Sequence, residues 1–423
     1  MLFYSNGVKV MFKMFRNVSI LLFLSLLVFC FSSSAYAVKI GKLNIKPTIT
    51  YKGSYDDNIY KEATNEISDY ISVYSPSLSL SLGKPETGNY ISAGIDADFA
   101  DFSDKDKNNY QTYKPYFAFS LSTPGGLYFK GEERFIDTDD LYGTENDYNV
   151  GTRTMRWIND ASITIGFKFA DKYTIESSYK NSKYRFDDLA DQHQDNEADT
   201  YSISVLYRVG AYTSLFGQFQ SGNEEYDRQN EGVTGWTPVT SQDNEKTDYY
   251  IGARFAPGGK LSGEIKLGFS EIDFDNIMDQ YGNQYTDDEA LSAEALVGYK
   301  MTPKTTLNFN LSRNFKTMPE FGASAVASSF VDTTVGIGMK QQFRKRLSLN
   351  LGLDMRYQDY EVFSGNPDKE FDTYKFNARL DFIVLRWLSG GLEYVYEDKG
   401  ANAGYFTNEY DNNIFTFDLT AEF

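Results

Sequence analysis

Asn413-Ile414-Phe415-Thr416-Phe417-Asp418-Leu419-Thr420-Ala421-Glu422-Phe423 is the stretch whose reading decides the fold. In an extended chain successive side chains point to opposite faces. Phe415, Phe417, Leu419, Ala421 and Phe423 therefore share one face, and Thr416, Asp418, Thr420 and Glu422 share the other. A strand divided in this way lies between an apolar medium and water. A strand of a soluble sandwich meets that description as well as a strand of a membrane barrel. The rest of the chain has to separate the two.

The same division recurs upstream. Leu347, Leu349, Leu351, Leu353, Met355 and Tyr357 alternate with Ser348, Asn350, Gly352, Asp354, Arg356 and Gln358. Phe376, Ala378, Leu380 and Phe382 alternate with Lys375, Asn377, Arg379 and Asp381, and Ile163, Ile165, Phe167 and Phe169 alternate with Thr164, Gly166 and Lys168. No stretch of the segment from residue 38 onward sustains the 3.6-residue period of a helix, or an apolar run long enough for a membrane helix. Charged residues midway along such strands are costly against lipid, so the charged face has to meet water.

Connections follow a rhythm. Short Gly/Pro-containing or basic ones fall near 83–88, 123–126, 170–172, 210–211, 257–260, 301–304, 344–346 and 386–387. Long acidic ones fall near 56–68, 103–109, 138–151, 187–198, 227–247, 275–288, 318–329, 364–371 and 398–410. This spacing predicts about 18 antiparallel strands, an even number as single-chain bacterial barrels have, closed into an all-β transmembrane barrel. Short turns would face the periplasm and long loops the exterior.

The amino terminus predicts export. Lys9, Lys13 and Arg16 precede an apolar run from Val18 to Phe31, and Ala35-Tyr36-Ala37 is a small-x-small cleavage pattern. Residues 1–37 read as a signal peptide cleaved near Ala37, and 38–423 as one barrel domain. The only cysteine, Cys30, lies in the leader, which removes disulfides and thiolate metal sites from the remainder. Three of the 41 basic residues and none of the 59 acids fall in the leader. The remainder carries 38 bases against 59 acids, a net charge near −21, which argues against nucleic acid as a partner. The 33 Tyr and 33 Phe suit aromatic girdles where a barrel crosses the two membrane surfaces. Tyr55, Tyr60, Tyr142, Tyr148, Tyr226, Tyr281, Tyr285, Tyr405 and Tyr410, near strand ends and loops, are expected there rather than as stacking faces for sugar rings, and Trp157 and Trp236 lie near or in long loops.

Two resemblances sharpen this reading. The alternation closing on Phe423 resembles the C-terminal signal by which bacterial outer-membrane barrels are recognised. That resemblance implies outer-membrane lipid and the barrel assembly machinery as partners, with Phe415, Phe417, Leu419, Ala421 and Phe423 as the insertion signal. Thr50-Tyr51-Lys52-Gly53-Ser54-Tyr55-Asp56-Asp57-Asn58-Ile59-Tyr60, followed by Ser68-Asp69-Tyr70-Ile71-Ser72-Val73-Tyr74-Ser75-Pro76-Ser77-Leu78-Ser79-Leu80, resembles the opening of a beta-barrel porin family often encoded with exopolysaccharide synthesis and export genes. It implies a Gram-negative outer-membrane barrel that passes polymer outward with a periplasmic polysaccharide-export partner. No catalytic residue is carried over from it.

Barrels of this size leave an aqueous channel unless plugged. Candidate pore-lining residues are Lys130, Glu132, Arg134, Asp354, Arg356, Arg379, Asp381, Glu393 and Asp418. Acids and bases predicted for that face are similar in number, so the lumen reads as charge-balanced, suited to a neutral or mixed-charge polysaccharide. The alternative is an uptake porin for small sugars or nutrients. A hydrolase would have to use His193, the only histidine, since nucleophilic triads need a positioned base. No phosphate loop, dinucleotide fingerprint or EF-hand spacing occurs, and neither cofactor nor metal is predicted.

Overall fold

In this computed structural model, residues 38–84, 88–141, 153–188, 191–226, 242–278, 283–317, 327–402 and 409–423 are described. The leader with its cleavage site, Trp236, and Tyr142, Tyr148, Tyr281 and Tyr405 of the long loops lie outside the described residues.

A three-residue strand β1 (Val38–Ile40) precedes eighteen long ones. These are β2 (Leu43–Asp56), β3 (Asp69–Lys84), β4 (Asn89–Phe102), β5 (Tyr110–Ser122), β6 (Leu127–Thr138) and β7 (Arg156–Phe169). Next come β8 (Tyr173–Phe186), β9 (Asn196–Arg208), β10 (Thr213–Tyr226), β11 (Asn244–Phe255), β12 (Leu261–Phe274) and β13 (Asp288–Thr302). The last six are β14 (Thr305–Thr317), β15 (Ala327–Arg344), β16 (Leu347–Val362), β17 (Lys369–Leu385), β18 (Leu388–Ala401) and β19 (Tyr410–Glu422). Each pairs antiparallel with its sequence neighbours, and β19 pairs with β2 from Ile414↔Asp56 to Glu422↔Thr48. The ring is closed, so no sheet edge faces the membrane.

Every predicted connection falls between two of these strands. Tight turns use local chemistry: in Thr123-Pro124-Gly125-Gly126, Gly126 takes φ +92° and donates to the Thr123 carbonyl at 3.1 Å. Only glycine adopts that backbone region without cost. Strands run from 12 residues in β6 to 18 in β15, whereas about 9–11 tilted residues cross a bilayer. The barrel wall therefore continues beyond the membrane.

Contacts that skip strands identify the inside. Arg254 of β11 reaches over β10 and β9 to Glu176 of β8 at 2.8 Å, which only the concave side of a ring permits. The pairing registers carry this assignment around the barrel: Arg254 opposes Glu264, Asp354 opposes Lys375, and Arg379 opposes Glu393. On the convex face stand Ile251 (74% exposed), Leu291 (70%), Leu267 (57%), Ile337 (57%) and Phe415 (54%). Apolar exposure around a whole ring is far beyond the few hundred Å² that water tolerates. Aromatic pairs border this band on both sides. Tyr55–Tyr70, Tyr394–Phe415 and Phe135–Trp157 lie loopward, and Phe169–Tyr173, Tyr173–Tyr207 and Trp387–Phe423 lie turnward. No described helix is long and apolar enough to cross a membrane; the crossing is made by strands.

The connection from β2 to β3 straddles the seam where the ring closes. The Asp57 carboxylate accepts from the Asn413 backbone N–H (2.6 Å) and side-chain amide (2.9 Å). Asn58, fully buried, donates to the carbonyls of Glu62 and Asp411. Lys61 completes the staple with an ion pair to Glu397 at 2.7 Å.

Candidate functional site: the concave face

Alternation and register put all nine candidate residues on the concave face, in different company. Arg379 is the hub of one network: its Nε meets Asp381 Oδ1 at 2.7 Å, and its Nη1 meets Asp418 Oδ1 at 2.7 Å and Glu393 Oε2 at 3.4 Å. Asn350 donates to the other Asp381 oxygen at 2.5 Å. Gly391 lies beneath, and a Cβ there would collide with the Arg379 guanidinium, so this network needs glycine on β18. Four of the nine are thus joined across β17, β18 and β19.

The other five are dispersed. Arg356 turns to Asp332, a carboxylate 7% exposed that also takes Lys316 at 2.8 Å. Asp354 accepts from the Asn310 amide at 3.3 Å. Lys130, Glu132 and Arg134 form an exposed column on β6, and Lys130 lies 5.3 Å over the Tyr128 ring. Phe415, Phe417, Leu419 and Ala421 of the terminal pattern lie on the convex face of β19, and Phe423 follows its end. His193 belongs to a short 3-10 turn, Gln192–Gln194, between β8 and β9.

Further charges meet on this face that sequence reading did not group. The Arg254 Nε also binds Glu264 at 2.6 Å, and Tyr128 donates its hydroxyl to Glu176. Glu397 collects Lys61, Lys375 at 3.4 Å and the Tyr410 hydroxyl at 2.7 Å. Lys266 pairs with Glu294 at 3.0 Å while lying 4.2 Å over Tyr250. Lys114 pairs with Asp98 at 2.7 Å. Strand parity was the signal for these members; the stagger between strands, which chooses partners, is not written in any one strand.

Between the ion pairs run hydroxyl and amide columns. Ser75, Ser77, Ser79 and Ser81 line β3, and Asn308, Asn310, Ser312 and Asn314 line β14. Near the loops the concave face changes character. Phe330 and Phe371, each 1% exposed, pack with Tyr360 at ring separations of 4.7 and 5.6 Å. Lys369 lies 4.5 Å over Tyr360 and Lys399 4.1 Å over Phe371. Across the mouth, Ile59, Val73, Ala100 and Phe102 form a second cluster.

The family comparison agrees with this architecture. The family model described as "Putative beta-barrel porin 2" matches residues 34–423. No curated protein matches. Among solved structures, the outer membrane protein OpdK from Pseudomonas aeruginosa is 9% identical with TM-score 0.44, covering 90% of this chain and 99% of that one. OccAB4 from Acinetobacter baumannii is 11% identical with TM-score 0.46, covering 90% and 98%. The siderophore receptor PirA from Pseudomonas aeruginosa is 10% identical with TM-score 0.42, covering 90% and 80%.

Proposed function

The chain belongs to that porin family and is an outer-membrane β-barrel of porin-like channel type; from this premise we propose that it carries exopolysaccharide from the periplasm to the cell exterior. One observation carries the reading: the concave face combines long hydroxyl and amide columns with charges mostly held in ion pairs, such as Lys114 with Asp98 and Lys266 with Glu294. Hydroxyls and amides exchange hydrogen bonds with sugar hydroxyls without a strong preference for one position, so a chain can slide rather than lodge. Paired charges attract no solute strongly, which suits neutral or mixed-charge polymer. Delivery to the barrel falls to a separate periplasmic polysaccharide-export partner. Insertion through the barrel assembly machinery would use Phe415, Phe417, Leu419, Ala421 and Phe423.

A second reading, uptake of small sugars or nutrients, draws support from the packed clusters around Phe330 and Phe102, which reduce the space at the outer mouth. A deletion strain separates the two. Loss of surface polysaccharide with normal sugar uptake is the expected result; normal polysaccharide with impaired uptake overturns export. The family points to a channel rather than an enzyme, and His193→Ala is expected to leave both readouts unchanged.

A further inference from the structure

The two ends of the barrel carry opposite charge. The short turns present Lys172, Lys260, Lys304, Arg344, Lys345 and Arg346, all exposed, and Asp171 is the one acid among the described turn residues. One step into the lumen, on the concave face, stand Lys168, Arg208, Lys300 and Lys340, also exposed. Two register motifs organise this zone. Ser214 is flanked by Arg208 on β9 and Arg254 on β11; Thr306 is flanked by Lys300 on β13 and Lys340 on β15. Neighbouring strands are about 4.8 Å apart, so each pair of bases is separated by roughly 10 Å at the backbone. Turn and lumen bases are also tied directly: the Arg208 N–H donates to the Lys172 carbonyl and the Lys300 N–H to the Lys260 carbonyl, each at 2.8 Å.

Carboxylates near this zone are engaged in ion pairs, Asp381 and Asp418 on β17 and β19 by Arg379. Glu176 and Glu264 are held by Arg254, and Glu422 pairs with Lys46 at 2.9 Å. Lys168, Arg208, Lys300 and Lys340 make no ion pair among the described residues. Like charges so close repel one another; Arg254 is offset by its two carboxylates and Lys168 lies 5.3 Å over the Tyr128 ring, but no ion pair among the described residues offsets Arg208, Lys300 and Lys340. Their separations are comparable with the Debye length of about 8 Å at physiological salt, so they act on an approaching solute as one field. This corrects the expectation of a lumen balanced throughout: the balance holds in the middle, and the turn end has a basic surplus.

We infer that this arc of bases, on β7, β9, β13 and β15, captures a carboxylate-bearing polysaccharide at the periplasmic mouth. The inference rests on the export reading and narrows its substrate to chains carrying anionic sugar units. The placement of the bases chooses among anionic partners. Lipid head groups reach only the convex side, and a folded protein would meet only the turn tips. A flexible chain threading the lumen meets turn tips and concave-face bases in succession. Beyond the arc the charges pair off, so the chain is attracted at entry and held weakly afterwards.

The test uses protein in zwitterionic nanodiscs with fluorescent oligogalacturonate, and maltodextrin of equal length as the neutral probe, read by anisotropy. Oligogalacturonate is expected to bind about tenfold more tightly than maltodextrin, and to weaken as salt rises. The combined variant Lys168→Gln, Arg208→Gln, Lys300→Gln and Lys340→Gln should lose about tenfold, and Arg208→Gln or Lys340→Gln alone about twofold, should the combined variant misfold. Equal affinity for both probes overturns the inference. So does loss of binding only on neutralising the turn tips Lys172, Lys260 and Lys304, which would mark a rim for a protein or lipid surface. Single-channel conductance is measured in parallel. Intact binding without conductance sinks the channel reading alone; conductance without acidic preference sinks this inference alone.

Discussion

Halfway along β16 and at its outer end, the same alternation has opposite meanings. Leu349, Leu351, Leu353 and Met355 face outward while Asn350, Asp354 and Arg356 face inward. A few residues on, Asp359 and Glu361 take the outward positions, and Tyr360 and Val362 the inward ones. The inversion recurs on β17, where Phe371 points in between Glu370 and Asp372, and on β4, where Phe102 points in beside Asp101. Period and register do not change; the medium on each side does. Outside the membrane the convex face meets water, and the concave face packs its aromatic rings into a buried cluster. On β16 the outer edge of the bilayer therefore lies between Met355 and Asp359. One strand obeys two solvents in sequence.

The largest expected effect comes from the buried cluster. Phe371→Ala should destabilise the outer part of the barrel by about 3–5 kcal/mol, as for other buried aromatics. Urea unfolding in lipid vesicles measures it, and a cost near zero would mean that the Phe330–Tyr360–Phe371 cluster is not a core. Next, Leu353→Arg places a charge on the convex face within the apolar band and should cost about 2–4 kcal/mol by the same measurement. Breaking the staple over the seam with Lys61→Ala removes an ion pair whose side chains are 23% and 12% exposed, and should cost only about 1 kcal/mol. Faster protease cleavage in the β2–β3 connection would accompany it. Smallest of all, Asp359→Arg lies on the same face and strand as Leu353 but beyond the inversion, and should change stability by about 1 kcal/mol or less. If Asp359→Arg proves as damaging as Leu353→Arg, the bilayer edge has been placed too low.

The ring itself was legible in the sequence. Eight short and nine long connections separate the eighteen barrel strands, because turn residues and loop acids are local signals. The faces were legible too, since alternation needs no partner. Partner choice was not. Arg379 with Asp381, Glu393 and Asp418 could be placed on one face, but that Arg356 goes to Asp332 rather than to Asp354 depends on stagger between strands. The tyrosines near strand ends show the same limit. Tyr55 joins the outer aromatic belt as expected. Tyr226, by contrast, bonds Thr317 at 2.8 Å, Tyr285 stacks on Phe274, and Tyr410 holds Glu397. An amphipathic ring suits a membrane surface and a buried cluster equally, and only the inversion tells them apart.

The pairing of β19 with β2 has a consequence for biogenesis. The ring's first and last members are neighbours, and Phe423 donates its N–H to the Pro47 carbonyl at 3.1 Å. An intermediate still missing its final strand would offer hydrocarbon two raw margins of unmet amides and carbonyls, each group costing several kcal/mol. Such a sheet has no comfortable resting place in a bilayer, and it would remain soluble freight for chaperones. Pairing of β19 with β2 removes both margins at once, so sealing the cylinder is what makes the sheet acceptable to hydrocarbon.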